Sequence, residues 1–342
     1  MMEKVRLGQT GLMVTRTAFG ALPIQRTDMD TAIRILRKAF ESGINFFDTA
    51  RRYTDSEEKL GRALGDVRAQ YILATKTPAA TRKEALSDVQ KTLDLTRSDY
   101  VDLYQLHNPQ SVDFDDPDGA YAGLLEAKQK GYIRHIGVTN HSPKNAIDYI
   151  ESGKFETLQF PFNYLSGEVE MDLLSRCKAH DMGFIAMKAL SGGMVANVAA
   201  TFTFIRQYQN VVPIYGIQHE WELDEFLALT ANPPVLDEKM QSIIEQDRKD
   251  LSQEFCRACG YCMPCPAGIN IPTSGRVYLL ATRSPYQRFL TNEFWEQQRK
   301  VEDCIHCNQC MQKCPYGLDT PTMLAHQHAL FKVWREEHLQ KG

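Results

Sequence analysis

The chain has 342 residues, 43% of them hydrophobic, enough to bury one large core and furnish a second, smaller unit. A net charge of -4, with both signs interspersed, leaves no basic footprint for nucleic acid. The N-terminal residues Met1-Met2-Glu3-Lys4-Val5-Arg6 lack the apolar stretch of a signal peptide, and no segment reaches the roughly eighteen apolar residues of a membrane span, so a cytoplasmic protein is expected.

The first segment, Val5 to Val14, reads as two short strands around a Gly-containing turn. From residue 15 to 216, β-type runs then recur at Thr15–Gly20, Asn45–Ala50, Tyr71–Lys76, Tyr100–His107, Ile133–Asn140, Thr157–Tyr164, Gly183–Leu190 and Val211–Gly216. Amphipathic helical stretches lie between them; one places Ile33, Leu36 and Phe40 on a stripe, with Asp28 or Asp30 as N-cap and Gly43 at its exit. Eight such alternations predict an α/β protein with a closed (β/α)8 TIM barrel, its floor plugged by the leading hairpin. Residues 217–254 read as mostly helical, interrupted at Pro233-Pro234. The boundary is placed near residue 252, giving a barrel over 1–252 and a cysteine-bearing domain over 253–342.

In such a barrel the chemistry sits at the C-terminal ends of the strands. Asp48, Tyr53, Lys76 and His107 all fall on that rim. Taken singly, each has a structural explanation: Asp48–Lys76 as a barrel-end ion pair, Tyr53 as a rim aromatic, His107 as a hydrogen-bonded core histidine. Taken together they suit carbonyl reduction. A tyrosine beside a buried ammonium is expected to have its pKa lowered from about 10, toward a usable general acid. Asp48 would keep that ammonium charged, and His107 would align a carbonyl oxygen.

The run Asp48-Thr49-Ala50-Arg51-Arg52-Tyr53, followed by Ser56-Glu57 and Gly61, resembles the signature of the aldo-keto reductase family. Ala74-Thr75-Lys76, Asp102 to His107, and Ile136-Gly137-Val138-Thr139-Asn140 resemble its lysine strand, histidine strand and Gly-Val-Ser-Asn stretch. The resemblance implies that Tyr53 is the proton donor, that Lys76 and Asp48 tune it and that His107 orients the substrate. It implies also that Thr139, Asn140 and Gln159 hold a nicotinamide carboxamide.

Two stretches depart from that pattern. After the seventh barrel strand, Lys188 stands where the family usually offers a tyrosine to stack on the nicotinamide; it reads as a phosphate or acidic-substrate contact, or as a snorkelling rim lysine. Gly192-Gly193 suit a phosphate-binding nest. After the eighth strand, Gly216, Ile217, Gln218 and Glu225 match the family's second phosphate and adenine loop, but Glu220, Glu222 and Asp224 would repel a 2′-phosphate, and Phe226 replaces a common adenine-contacting asparagine. NADH is therefore expected in preference to NADPH, or weak binding of either.

Eight of nine cysteines crowd into two runs. Cys256-x2-Cys259-x2-Cys262-x2-Cys265 precedes Cys304-x2-Cys307-x2-Cys310-x3-Cys314-Pro315, and the second run has the bacterial ferredoxin spacing. Zinc more often uses two C-x2-C pairs across a longer loop, and disulfides need an oxidising compartment. Two-cluster ferredoxins exchange their fourth ligands, which implies two [4Fe–4S] clusters, on Cys256, Cys259, Cys262 with Cys314, and on Cys304, Cys307, Cys310 with Cys265. The first run is one residue short before its fourth cysteine, so Cys265 is the looser match and a single cluster stays open. The insert with Tyr278-Leu279-Leu280 and Phe294-Trp295 reads as helices packing on the clusters or the barrel, in the manner of a helical dicluster ferredoxin module. Cys177 reads as a small buried residue.

The expectation is an oxidoreductase acting on a carbonyl or alcohol, with clusters exchanging electrons with a ferredoxin-type partner. A hydride carries two electrons and a cluster one, so coupling them leaves room for a flavin, although no Gly-x-Gly-x-x-Gly motif is present. The alternatives are an ordinary reductase with purely structural clusters, and an electron-transfer subunit whose barrel has lost its cofactor.

Overall fold

The structure is a computed structural model; it describes residues 2–192, 194–195, 197–251, 255–283, 286–314 and 316–340. The chain divides into two compact units, Met1–Ala189 with Phe202–Val235, and Leu190–Thr201 with Leu236–Gly342. The division falls before residue 252 because the helix Glu238–Asp250 is tied into the second unit, where Arg283 bonds Asp247 at 2.7 Å and Asp250 at 3.1 Å.

The first unit opens with a hairpin, β1 (Lys4–Arg6) antiparallel to β2 (Met13–Thr15). Eight parallel strands follow: β3 (Ala18–Gly20), β4 (Phe46–Asp48), β5 (Ile72–Thr77), β6 (Val101–His107), β7 (Ile133–Thr139), β8 (Thr157–Pro161), β9 (Gly183–Met187) and β10 (Val211–Gly216). They close in sequence order, β10 pairing both β3 and β9. This is the (β/α)8 TIM barrel that the eight alternations predict. Thr15 pairs with Lys4 in the hairpin, so the first barrel strand starts at Ala18 instead of Thr15. Leu7, fully buried, joins Val14, Phe46, Leu103 and Ile185 in one apolar cluster, which makes the hairpin a plug.

The helices between the strands are α1 (Met29–Glu41), α2 (Ser56–Leu64), α3 (Arg82–Thr96), α4 (Ala120–Gln129), α5 (Pro143–Glu151), α6 (Glu168–Ala179) and α7 (Val198–Arg206), with α8 (Glu220–Ala231) after β10. Asp28 caps α1 by accepting from Thr31 N. The buried face of α1 is Ala32, Ile35, Leu36 and Ala39, whereas Ile33 and Phe40 flank it; the small alanines let that face lie close to the sheet.

The second unit carries α9 (Glu238–Asp250), α10 (Ile271–Ser274), α11 (Val277–Arg283), α12 (Asn292–Gln298), α13 (Gln309–Gln312) and α14 (Thr320–Leu339). The insert between the cysteine runs packs on α14: Phe294 meets Phe331 at 5.8 Å, and Trp295 stacks on His328 at 5.7 Å. Its aromatics thus bury against the last helix, while its Ile269, Ile271 and Val301 pack with Cys262, Cys265, Cys304 and Cys310. Cys177 is buried in α6 without a disulfide. Among the described residues no helix is long and apolar enough to cross a membrane.

Candidate functional site

Parallel strands deliver their C-terminal residues to one end of the barrel. Asp48 ends β4, Lys76 lies near the end of β5 and His107 ends β6. Register sets Lys76 beside Gln105, His107 beside Thr139, and Thr139 beside Gln159. Tyr53 arrives from the loop between β4 and α2, and that loop is anchored from below. Thr49 Oγ1 donates to Ser56 Oγ at 2.9 Å, and Ser56 Oγ donates to the Ala21 carbonyl at 3.0 Å. Glu57, almost fully buried, accepts from Thr75 at 2.7 Å and Thr92 at 3.0 Å and pairs with Arg51. Glu57 therefore ties the Tyr53 loop to the strand that carries Lys76. At Gly61 a Cβ would stand 2.0 Å from the Leu95 carbonyl oxygen, so only glycine lets α2 approach α3 this closely.

Lys76 Nζ donates to Asp48 Oδ1 and to the Thr49 carbonyl, both at 2.6 Å. It also lies 5.2 Å from the centroid of the Tyr53 ring. The rings of Tyr53 and His107 meet edge-on at 5.9 Å and 86°. The four side chains converge.

Their electrostatics differ from the expectation at one point. Burial pushes the Tyr53 hydroxyl above its ordinary value; the Lys76 ammonium pulls it down, but less strongly, and Asp48 adds to the rise. The net shift is upward, not downward. Burial likewise raises Asp48 against the opposing pull of Lys76. Burial, reinforced by Lys76 and Arg52, holds His107 down at about 3, so the imidazole is neutral near pH 7. His107 Nδ1 is buried with no hydrogen-bond partner among the described residues, a polar atom that a ligand can satisfy.

Thr139 and Gln159 lie beside this group, each already bonded: Thr139 Oγ1 accepts from Asn108 N at 3.1 Å, and Gln159 Oε1 from Gln105 Nε2 at 2.9 Å. Asn140 is committed to its own loop. Its Oδ1 accepts from His141 N and Ser142 N, and its Nδ2 donates to the Pro109 carbonyl. His141 belongs to the same neighbourhood although the sequence did not single it out. Burial, helped by Lys188 and His107, holds it well below the usual histidine range. The signal available was its place directly after the β7 end.

Lys188 adopts a left-handed backbone, φ 57°, just beyond β9. Gly192 falls in the second unit, where Arg276 Nη1 donates to the Ser191 and Gly192 carbonyls at 3.4 and 3.1 Å. Gly193 lies outside the described residues. At the start of α8 the amides of Gln218 and His219 donate to Glu222 Oε2 at 2.6 and 2.8 Å. Glu222 thus closes a capping box at the start of α8 with its own carboxylate. Gly216 and Glu225 are exposed and Ile217 is fully buried, while Phe226 stacks on Tyr215 at 4.1 Å inside the core. The residues at the strand ends therefore suit a nicotinamide ring better than the two loops suit its phosphates.

In the second unit the thiols gather around two neighbouring cavities. Cys256, Cys259, Cys262, Cys310 and Cys314 line one. Cys262, Cys265, Cys304, Cys307 and Cys310 line the other, so Cys262 and Cys310 reach both. Among the described residues no three His, Cys, Asp or Glu side chains close on a point that would hold a single ion. Four thiols spread around a cavity suit a multi-atom cluster.

The family model of the aldo/keto reductase family matches residues 15–211. The chain belongs to the aldo/keto reductase family. A 4Fe-4S dicluster domain matches residues 255–319, so this aldo/keto reductase carries an iron–sulfur module at its C-terminal side. It is 30% identical over 224 residues to the aldo-keto reductase YhdN of Bacillus subtilis, covering 59% of this chain and 67% of that one. It is 26% identical over 242 residues to the NADH-specific methylglyoxal reductase of Escherichia coli, covering 60% and 72%. L-galactose dehydrogenase of Arabidopsis thaliana is 30% identical over 210 residues, with 55% and 66% covered. The fold matches the holo form of aldo-keto reductase AKR11C1 from Bacillus halodurans, with TM-score 0.63, 21% identity, and 72% of this chain and 96% of that one covered. The aldo/keto reductase barrel is thus an oxidoreductase scaffold.

Proposed function

We propose that the barrel interconverts a small-molecule carbonyl and alcohol, and that the C-terminal unit holds two [4Fe–4S] clusters that exchange electrons with a ferredoxin-type partner. The observation that carries the first part is the contact of Lys76 with Asp48, with the Tyr53 ring over the same ammonium and His107 edge-on to it. A bound nicotinamide supplies the hydride to the carbonyl carbon. Tyr53 gives its hydroxyl proton to the carbonyl oxygen, and the Lys76 ammonium, paired with Asp48, stabilises the phenolate that remains. Neutral His107 donates one hydrogen bond to the same oxygen and orients it. Thr139 and Gln159, with Asn140 shaping their loop, would hold the nicotinamide's carboxamide.

NADH is the favoured nicotinamide. Glu222 at the start of α8 repels a 2′-phosphate, and a relative of 26% identity is named as NADH-specific. For the clusters, Cys256, Cys259, Cys262 and Cys314 would hold one, and Cys265, Cys304, Cys307 and Cys310 the other; they would supply one-electron chemistry. Anaerobic purification with iron and sulfide counts, followed by titration with NADH and NADPH and flavin extraction, tests the assignment. Tighter binding of NADPH than of NADH contradicts the cofactor choice, and an iron-free protein contradicts the clusters.

One observation favours a second reading, in which the chain serves as an electron-transfer subunit. Arg276 holds the Gly192 carbonyl, and Glu222 holds the Gln218 and His219 amides just before α8, so both loops expected to cradle phosphates are engaged by the protein itself. Absence of binding of either nicotinamide, with clusters present, would select this reading.

A further inference from the structure

Gln105 and Gln159 stand on strands that do not pair with each other, for β7 runs between β6 and β8. They are bonded nonetheless, Gln105 Nε2 donating to Gln159 Oε1 at 2.9 Å. That bond has to cross β7. Register sets Gln105 beside Gly137 and Gly137 beside Thr157, with Gln159 next on the same face of β8. A Cβ on Gly137 would stand 3.1 Å from Gln105 Cγ and 2.1 Å from Thr157 Oγ1, so glycine in β7 is what leaves the glutamine its passage. Gln105 is fully buried, and its Oε1 has no hydrogen-bond partner among the described residues. Burying an unpaired acceptor opposes folding, so an apolar side chain of the same size would serve the core at least as well as this amide does.

What the amide does is engage the Oε1 end of Gln159, a side chain only 1% exposed. With that oxygen held, Nε2 is the end of Gln159 able to donate to a ligand. We propose that Gln105 is a positioning residue that locks the Gln159 amide in this orientation, so that Nε2 donates to the carboxamide oxygen of a nicotinamide. Without the lock the amide can turn over and offer its own oxygen, which a carboxamide oxygen cannot bond. Gln105 acts through Gln159 and not on the nicotinamide itself. The inference rests on the nicotinamide reading above.

The test is a fluorescence titration of the anaerobic full-length protein with NADH, in the wild type, Gln105→Met, Gln159→Met and the double variant. Gln105→Met is expected to weaken NADH binding by about tenfold, the worth of one hydrogen bond, while its urea midpoint stays at or above the wild-type value. On the Gln159→Met background the same change is expected to cost less than about twofold, because no amide remains to be held. Equal loss on both backgrounds marks a merely structural role and overturns the proposal. Unchanged affinity in Gln105→Met, or a lowered midpoint in that variant, overturns it as well. A wild type that binds neither NADH nor NADPH fails the nicotinamide reading instead, which keeps the two failures apart.

Discussion

Lys76 Nζ lies 2.6 Å from Asp48 Oδ1 with both side chains at most 2% exposed, so neither charge has water to fall back on. Removing one partner of such a pair costs about 3–5 kcal/mol, whereas replacing both with apolar or neutral groups costs far less. Asp48→Asn should therefore destabilise the barrel by about 3 kcal/mol, and Asp48→Asn with Lys76→Met should recover most of that loss while staying inactive. Urea unfolding followed by circular dichroism, beside turnover assays, checks both halves.

The loop that carries Tyr53 is held by Thr49, Ser56 and Glu57, whereas the Tyr53 hydroxyl reaches toward Lys76. Tyr53→Phe should leave the unfolding midpoint unchanged and cut carbonyl reduction by about 10²–10⁴-fold. Glu57→Gln should do the reverse in part, lowering stability because half-buried Arg51 loses the closer of its two carboxylate partners and keeps only Asp88.

The pH profile follows from the two shifts. For reduction Tyr53 must be protonated, and its pKa lies above the ordinary tyrosine value, so the rate should fall only on the alkaline side of about 10. His107 is held at about 3 and stays neutral throughout the neutral range. The profile of kcat/KM should therefore show no acid limb near the ordinary histidine value of about 6.5. An acid limb there that disappears in His107→Gln would refute the assignment.

Glu222 closes the start of α8 with bonds to two backbone amides. Glu222→Ala frees those amides and removes a negative charge, so NADPH affinity should rise more than NADH affinity. The ratio of the two dissociation constants, measured by fluorescence titration, is the readout.

Cys314 lines the cavity of Cys256, Cys259 and Cys262, and Cys265 that of Cys304, Cys307 and Cys310. Cys314→Ala and Cys265→Ala should each cost one cluster, lowering iron from about eight to about four per chain, but with different EPR signals lost. Loss of the same signal in both variants would rule out the exchanged arrangement.

Much of the barrel was legible in the sequence because strands and helices write their periods into it: the runs ending at Asp48, Lys76 and His107 each carry their polar residue at the last or nearly last position. Boundaries were less legible. Thr15 looks like part of the first barrel strand, and only its pairing with Lys4 assigns it to the hairpin. Ile33 and Phe40 look like a core stripe, yet Ala32, Ile35 and Ala39 face inward, because the sheet beneath selects the helix rotation. His141 is not legible in this way, because nothing in its neighbours along the chain reveals that His107 and Lys188 lie near it.

The sequence alone determined which chemistry is present: a tyrosine, lysine, aspartate and histidine at strand ends, and thiols at cluster spacing, because those patterns are local and covalent geometry carries them. Tertiary structure alone decided the direction of the Tyr53 shift, the gathering of the thiols around two neighbouring cavities and the engagement of Glu222 by the Gln218 and His219 amides. Burial and through-space distance set these outcomes, and both depend on segments far apart in the chain that meet only in the packed fold.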